Sequence, residues 1–283
     1  MAASLGTALI TGASSGIGEI YADRLARRGY DLIVVGRNAE KLSTLAASLA
    51  ATTGRRVEPI VADLAVAADL ARVEARLAAD PAISLLVNSA GLTGGGPLST
   101  GNLGATTAML AVNVIALTRL SAVAAQAFAA RGAGGIVNLA SAMAFIDGPA
   151  VAAYAASKAY VLNLTLSLDL DLKPKGVQVQ AVLPGYTRTA MIAGRSDIPA
   201  QYIMDAGEMV DAALAGNDAH EVVTIPSLPD AAEYEAYANA RIALRGKVSL
   251  DIDASVTAGH AEGRVAFEVK DAAVAGFDGA DAH

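Results

Sequence analysis

Short apolar runs recur along the chain between longer stretches whose apolar positions repeat at helical spacing. TALIT (7–11), DLIVVG (31–36), VEPIVA (57–62), ISLLVNSAG (83–91), GGIVNLAS (134–141), VQVQAVLPG (177–185) and EVVTIP (221–226) are each about the length of a strand. Most do not alternate in polarity, as expected of strands covered on both faces. Between the first two lies GIGEIYADRLARRG, where Ile17, Ile20, Tyr21 and Leu25 share one helical face and Gly29 stands at the C-cap position. Strand, helix and strand repeated in this way predict an α/β fold: a doubly wound parallel sheet of about seven strands, with right-handed crossovers and helices on both faces. No internal repeat is present, and no linker precedes about residue 228, so residues 1–228 read as one domain. Residues 229–283 form a C-terminal extension. DAAEYEAYANARIALR in it is a helical pattern, after which KVSLDIDASV and GRVAFEV alternate as a hairpin would, or stay disordered in an acidic tail.

One stretch resists this simple parsing. From Leu162 to Leu172 every even position is leucine and every odd one is Asn, Thr, Ser or Asp, the alternation of a half-buried strand. On a helical wheel the same leucines form two stripes. Leu162, Leu166 and Leu170 fall at roughly 0°, 40° and 80°, and Leu164, Leu168 and Leu172 at roughly 200°, 240° and 280°. One stripe would cover the sheet, and the other would be left in water, which marks an interface. Pro174 and Gly176 then end the helix.

Composition narrows the class. Hydrophobic residues are 54% and charged residues 17% of the 283, which suits a large buried core and not disorder. A net charge of -7 argues against a nucleic-acid partner. Without cysteine there are neither disulfides nor thiolate metal sites, and His220, His260 and His283 are too scattered to predict a metal centre. No apolar run reads as long and unbroken enough to cross a membrane, and the first strand begins too early to leave room for a signal peptide. The expectation is a soluble cytoplasmic protein.

Three constellations carry chemistry. TGASSGIG (11–18) follows the first strand and opens the first helix, with Gly12, Gly16 and Gly18 spaced as a relative of the dinucleotide fingerprint. Glycines there allow a tight turn and close approach to a pyrophosphate, and the helix N-terminus offers N–H donors. At the end of the second strand, where an NAD site places an acid, the chain has Gly36 followed by Arg37. An arginine without that carboxylate favours a 2′-phosphate, hence NADP(H), with NAD(H) as the lesser cofactor. Thirdly, Tyr154 and Lys158 in YAASK are four apart. On a helix they are neighbours about 5–6 Å apart, whereas on a strand they would be about 13 Å apart. A nearby ammonium lowers the phenol's pKa and makes it usable as a general acid and base. The chemistry therefore favours the helix over the strand.

Together these motifs resemble the short-chain dehydrogenase/reductase family over residues 5 to about 226. TGASSGIG resembles its cofactor loop, NSAG (88–91) its adenine-side strand end, YAASK its catalytic motif and LPGYTRT (183–189) the loop that meets the nicotinamide. Ser89 stands where the family usually has a second Asn, which affects one sheet-stabilising hydrogen bond. The resemblance implies a Rossmann-type NAD(P)-binding catalytic domain. It implies Tyr154 as general acid/base, Lys158 as the residue that lowers its pKa and binds the nicotinamide ribose, Ser141 as the group polarising the carbonyl, and Asn113 as a proton relay. It also implies a cofactor site of Gly12, Ser14, Ser15, Gly16, Ile17, Gly18, Arg37, Asp63, Leu64, Asn88, Ala90, Gly91, Pro184, Gly185, Thr187 and Thr189, besides Tyr154 and Lys158. Family members pair through the helix carrying Tyr154, so a homodimer or homotetramer is implied. The activity implied is hydride transfer between nicotinamide and a carbonyl or secondary alcohol. The alternative is a non-catalytic dinucleotide-binding regulator or scaffold on the same fold. Residues 190–205 read as a lid, and with Met143, Phe145 and Ile146 they give a largely apolar pocket.

Overall fold

The computed structural model describes residues 5–248. All seven apolar runs contain strands: β1 (Thr7–Thr11), β2 (Asp31–Gly36), β3 (Val57–Val61), β4 (Ile83–Asn88), β5 (Gly134–Leu139), β6 (Val177–Val182) and β7 (Val223–Thr224). They form one sheet in the order β3-β2-β1-β4-β5-β6-β7, with every neighbouring pair parallel. The order reverses between β1 and β4, which places a crevice at the C-terminal ends of these two strands.

Period-two geometry sends successive strand residues to opposite faces. Ala8 and Ile10 of β1 thus join one core with Tyr21 and Leu25 of α1 (Gly16–Arg28), Leu42 of α2 (Ala39–Thr53) and Met209 and Val210 of α7 (Ala206–Asp218). Leu9 joins the other core, with Leu70 and Val73 of α3 (Ala67–Ala79), Leu120 and Phe128 of α5 (Leu117–Arg131), and Leu172 of α6 (Ala152–Leu172). Gly29 ends α1 at φ 106°, where its N–H reaches back to the Ala26 carbonyl. At one edge of the sheet, the Arg56 carbonyl and the Ala62 amide both bond to β2. Strand alternation then turns Pro59 outward, the position where a residue without an N–H costs no ladder bond.

The alternating stretch is helical, but its two leucine stripes do not divide as expected. The face turned to the sheet runs between them, through Lys158, Val161, Leu162, Thr165 and Leu172, all buried. Leu164, Leu166 and Leu168 flank it partly covered, and Leu170 alone of the six leucines is open to solvent, at 69% exposure. The centre of the buried face is polar: Thr165 has no exposed surface.

A second expectation is corrected as well. The helical run Leu103–Arg131 is long and apolar enough, by length and composition, to cross a membrane. Here it is α4 (Leu103–Leu110) and α5, joined by a π-helical turn at Ala111–Ala116, and α5 buries one apolar side in the core through Leu117, Leu120, Ala124 and Phe128.

The first compact unit ends at Ser227 and a second begins at Leu228. In the second, α8 (Ala231–Val248) is a helix with Tyr237, Ile242 and Leu244 exposed. Lys247 and Val248, the first residues of the expected hairpin, belong to this helix; the rest of that expectation lies outside the described residues.

Candidate active site

The turn after β1 is shaped by glycine. Gly12 has φ +70°, and a Cβ on it would lie 2.8 Å from the backbone of Ala90 after β4. A Cβ on Gly18 would lie 2.5 Å from the Gly12 carbonyl oxygen. Strand-end loop, helix start and neighbouring loop are therefore in backbone contact, which no larger residue permits. Ser15, the N-cap of α1, makes no side-chain capping bond, so the first amides of the helix are left for another acceptor. This cradle fits a dinucleotide pyrophosphate.

A cleft of about 430 Å³ opens over the cradle, walled by Gly12, Ser14, Ser15, Gly16, Ile17, Gly18, Arg37, Asp63, Leu64, Ala90, Gly91 and Thr189, each expected from the sequence. Asn88, Pro184, Gly185 and Thr187 are not among its walls. The Asn88 side chain turns down into the sheet, where its amide donates to Ser121 Oγ at 3.1 Å and Asn138 Oδ1 at 2.9 Å. Thr187 is buried and donates to the Gly185 carbonyl at 3.1 Å, while Pro184 offers its carbonyl to the Ala142 amide. Leu92, Thr93 and Val112 are walls that the sequence did not mark, since side chains of these types carry no chemical signal of their own, while Met191 belongs to the lid expected at residues 190–205.

Ser89, in the place of the usual second Asn, leaves the sheet secured at this point by Thr11. The Thr11 hydroxyl accepts from the Ser89 and Ala90 amides at 3.1 and 3.0 Å.

Beyond Gly91 the four expected catalytic side chains approach one another. A Cβ on Gly91 would lie 3.6 Å from Asn113 Oδ1 and 3.8 Å from Lys158 Nζ. Asn113 sits in the π-helical turn, where the widened helix turns its amide to the chain after β4. That amide accepts from the Leu92 N–H at 2.8 Å and donates to the Leu92 carbonyl at 2.9 Å, holding one backbone residue by both of its polar groups. Lys158 is 5% exposed, and its ammonium donates to the Leu139 carbonyl at 2.8 Å, 5.7 Å from the centre of the Tyr154 ring. Burial lowers its pKa to about 8. Burial raises that of the Tyr154 phenol, and a hydrogen bond with Ser141 offsets part of the rise. Ser141, at the end of β5, accepts from the Met143 amide at 3.1 Å and reaches the Pro184 carbonyl at 3.4 Å.

The loop after β6 makes a long excursion whose ends are tied. Met204 donates to the Tyr186 carbonyl and accepts from the Arg188 amide, both at 2.9 Å. Within it Ile198 is buried, Met191 reaches the cleft and Arg195 pairs with Asp197. Among the described residues no group of three or more His, Cys, Asp or Glu gathers as a metal site.

Known proteins with these features are readily found. A family model described as short chain dehydrogenase matches residues 6–198. A short-chain dehydrogenase from Sphingobium yanoikuyae, solved in complex with NADPH, is 44% identical; the match covers 90% of this chain and 99% of that one, with a TM-score of 0.82. A bulky-bulky ketone specific alcohol dehydrogenase from Comamonas testosteroni is 41% identical, covering 92% and 98%, with a TM-score of 0.81. Very-long-chain 3-oxoacyl-CoA reductase-A of Danio rerio is 32% identical over 188 residues, 65% of this chain. The match spans only 59% of that relative's length.

Proposed function

The chain belongs to the short-chain dehydrogenase family, and on that premise we propose that it is an oxidoreductase using NADP(H) to interconvert a ketone and a secondary alcohol. The observation that carries the reading is the buried ammonium of Lys158 beside the Tyr154 ring, with the Ser141 hydroxyl in hydrogen-bonding reach of the phenol. When bound, the nicotinamide gives or takes the hydride. Ser141 donates a hydrogen bond to the substrate oxygen, and Tyr154 gives that oxygen its proton in reduction and takes it back in oxidation. Lys158 stabilises the phenolate left behind, through its charge in a site from which water is largely excluded. Asn113 holds the Leu92 backbone in place and stands next to Lys158, where a proton can be passed on. A regulator without catalysis would have no need of these four groups in one place.

The preference for NADP(H) rests on Gly36 and Arg37. A Cβ at Gly36 would lie 3.0 Å from Ser14 Oγ, so the acid that selects NAD would crowd this turn, while Arg37 stands exposed at the cleft wall, free to meet a 2′-phosphate. In this reading Gly12, Gly16 and Gly18 hold the pyrophosphate, Asp63 and Leu64 flank the adenine, and Thr189 meets the carboxamide. Substrates with bulky groups on both sides of the carbonyl are the class we assign, on the likeness to the Comamonas testosteroni enzyme and the apolar Met143, Phe145 and Met191 near the site.

We further read the protein as a cytoplasmic homodimer or homotetramer. Ile115, Tyr160 and Leu170 are exposed apolar side chains on neighbouring helices, joined side by side through the 2.9 Å hydrogen bond between Thr118 and Tyr160. The test of function is oxidation of NADPH by purified protein with diaryl ketones. Turnover that needs a carbonyl substrate supports the reading, and tight NADPH binding with no turnover across a broad carbonyl panel refutes it.

A further inference from the structure

Beneath the site runs a chain of buried polar groups that the mechanism above does not use. Asn138 on β5 has no exposed surface. It lies one residue before Leu139, whose carbonyl holds Lys158, and three before Ser141. Its amide nitrogen donates to Thr165 Oγ1 on α6 at 3.0 Å. Its amide oxygen accepts from Asn88 Nδ2 on β4 at 2.9 Å and from Ser121 Oγ on α5 at 3.3 Å. One side chain thus ties two strands to two helices. Thr165 uses its own proton on the Val161 carbonyl at 2.7 Å, so its remaining capacity goes to Asn138. It lies seven residues beyond Lys158, about two turns along the same helix face.

Such a network is a costly way to fill a core. Buried polar atoms must each be matched, and here the Asn88 amide oxygen has no partner. Apolar side chains of the same volume would fill the space without that demand. What they would not supply is a fixed position. Apolar contacts are non-directional and let a helix slide or roll on a sheet, whereas a hydrogen bond between two fully buried side chains has a preferred length and angle. The catalytic pair depends on that setting: Tyr154 and Lys158 ride on α6, while Ser141 and the Leu139 carbonyl belong to β5 and its end.

We propose that Asn138 and Thr165 are positioning residues: their hydrogen bond sets the axial placement and rotation of α6 over β5, and so the alignment of Tyr154 and Lys158 with Ser141. The inference rests on the hydride-transfer reading of this site.

The test compares Thr165→Val, which keeps the volume and removes the acceptor, with Thr165→Ser, which keeps the acceptor. Thr165→Ala leaves room for a water to meet the Asn138 amide and serves if the valine variant does not fold. Tyr154 ionisation is followed in the NADP+ complex by tyrosinate absorbance, as the difference from the same protein carrying Tyr154→Phe, alongside kcat and KM. Loss of the acceptor is expected to move the Tyr154 titration by about half a pH unit or more and to lower kcat about tenfold, with KM for NADPH unchanged. Thr165→Ser should match the unsubstituted protein on every readout. A lower melting temperature with kcat and titration unmoved would overturn the proposal, as would a serine variant that behaves like the valine one. Absence of carbonyl reduction by the unsubstituted protein would count against the hydride-transfer reading, and the titration would still decide the positioning role.

Discussion

Lys158 lies one turn beyond Tyr154 on α6, with its ammonium 5.7 Å from the centre of the tyrosine ring and bonded to the Leu139 carbonyl. The carbonyl keeps the charge from turning elsewhere, and the apolar surroundings keep it from being screened. Burial raises the phenol above its ordinary value of 10.0 and lowers the ammonium from 10.5 to about 8, so it moves the two apart in proton affinity. What opposes it at the phenol is the hydrogen bond with Ser141 and the nearby charge, which favour the phenolate.

Tyr154→Phe removes the proton and leaves the ring. We expect kcat to fall by about 10²–10⁴, with NADPH affinity, read by fluorescence titration, close to that of the unsubstituted protein. Retention of most of the activity would refute the assignment of the acid/base.

Lys158 gives a pH dependence with a definite sign. Its folded pKa, about 8, lies below the ordinary lysine value of 10.5, so between these values the unfolded chain holds more protons. Stability therefore gains as pH rises from about 8 toward 10.5 and lacks this gain below 8. Relative to Lys158→Met, the unsubstituted protein should become more stable across that window, by on the order of 3 kcal/mol. Ketone reduction should decline above about pH 8, where the charge beside Tyr154 is lost. Melting temperatures of both proteins and a kcat–pH profile check the two statements.

Arg37→Ala should lower kcat/KM with NADPH by about 10–100-fold, the loss of a charge-assisted hydrogen bond, and leave NADH nearly untouched. An equal loss with both cofactors would show that Arg37 does not read the 2′-phosphate.

Ile115→Glu combined with Leu170→Lys puts charge on the exposed apolar side of the neighbouring helices. Sedimentation velocity should show a shift to monomer, with the secondary structure retained by circular dichroism. An unchanged oligomer would place the interface elsewhere.

The sheet was readable from the chain because parallel strands covered on both faces are short continuous apolar runs, and each of the seven runs holds one strand. The helix from Ala152 to Leu172 was readable only through chemistry, since its alternating leucines argue for a strand and the Tyr154–Lys158 spacing argues against one. What the wheel missed is Thr165: a polar residue can lie at the centre of a buried face when a distant side chain, here Asn138, matches it. Asn88 carries the same lesson, since its side-chain amide bonds inside the sheet. A residue type that suits a cofactor suits an interior network equally well, and only the fold decides between them. The π-helical turn at Asn113 has no signature in AVNVIA, and the Leu92 backbone that its amide holds lies 21 residues away in the chain. The apolar run Leu103–Arg131 shows the converse, where a composition fit for a membrane packs one face on a sheet, through Leu120, Ala124 and Phe128.

Pro59 has a consequence for the behaviour of the chain in a crowded solution. Facing outward from β3, it removes a donor from the middle of an edge that would otherwise present a row of open amides and carbonyls. A strand from a second molecule could not lengthen the sheet there without leaving an acceptor unmatched at its centre. A seven-stranded sheet this rich in valine and isoleucine thereby offers a poorer template for fibrous growth at that edge.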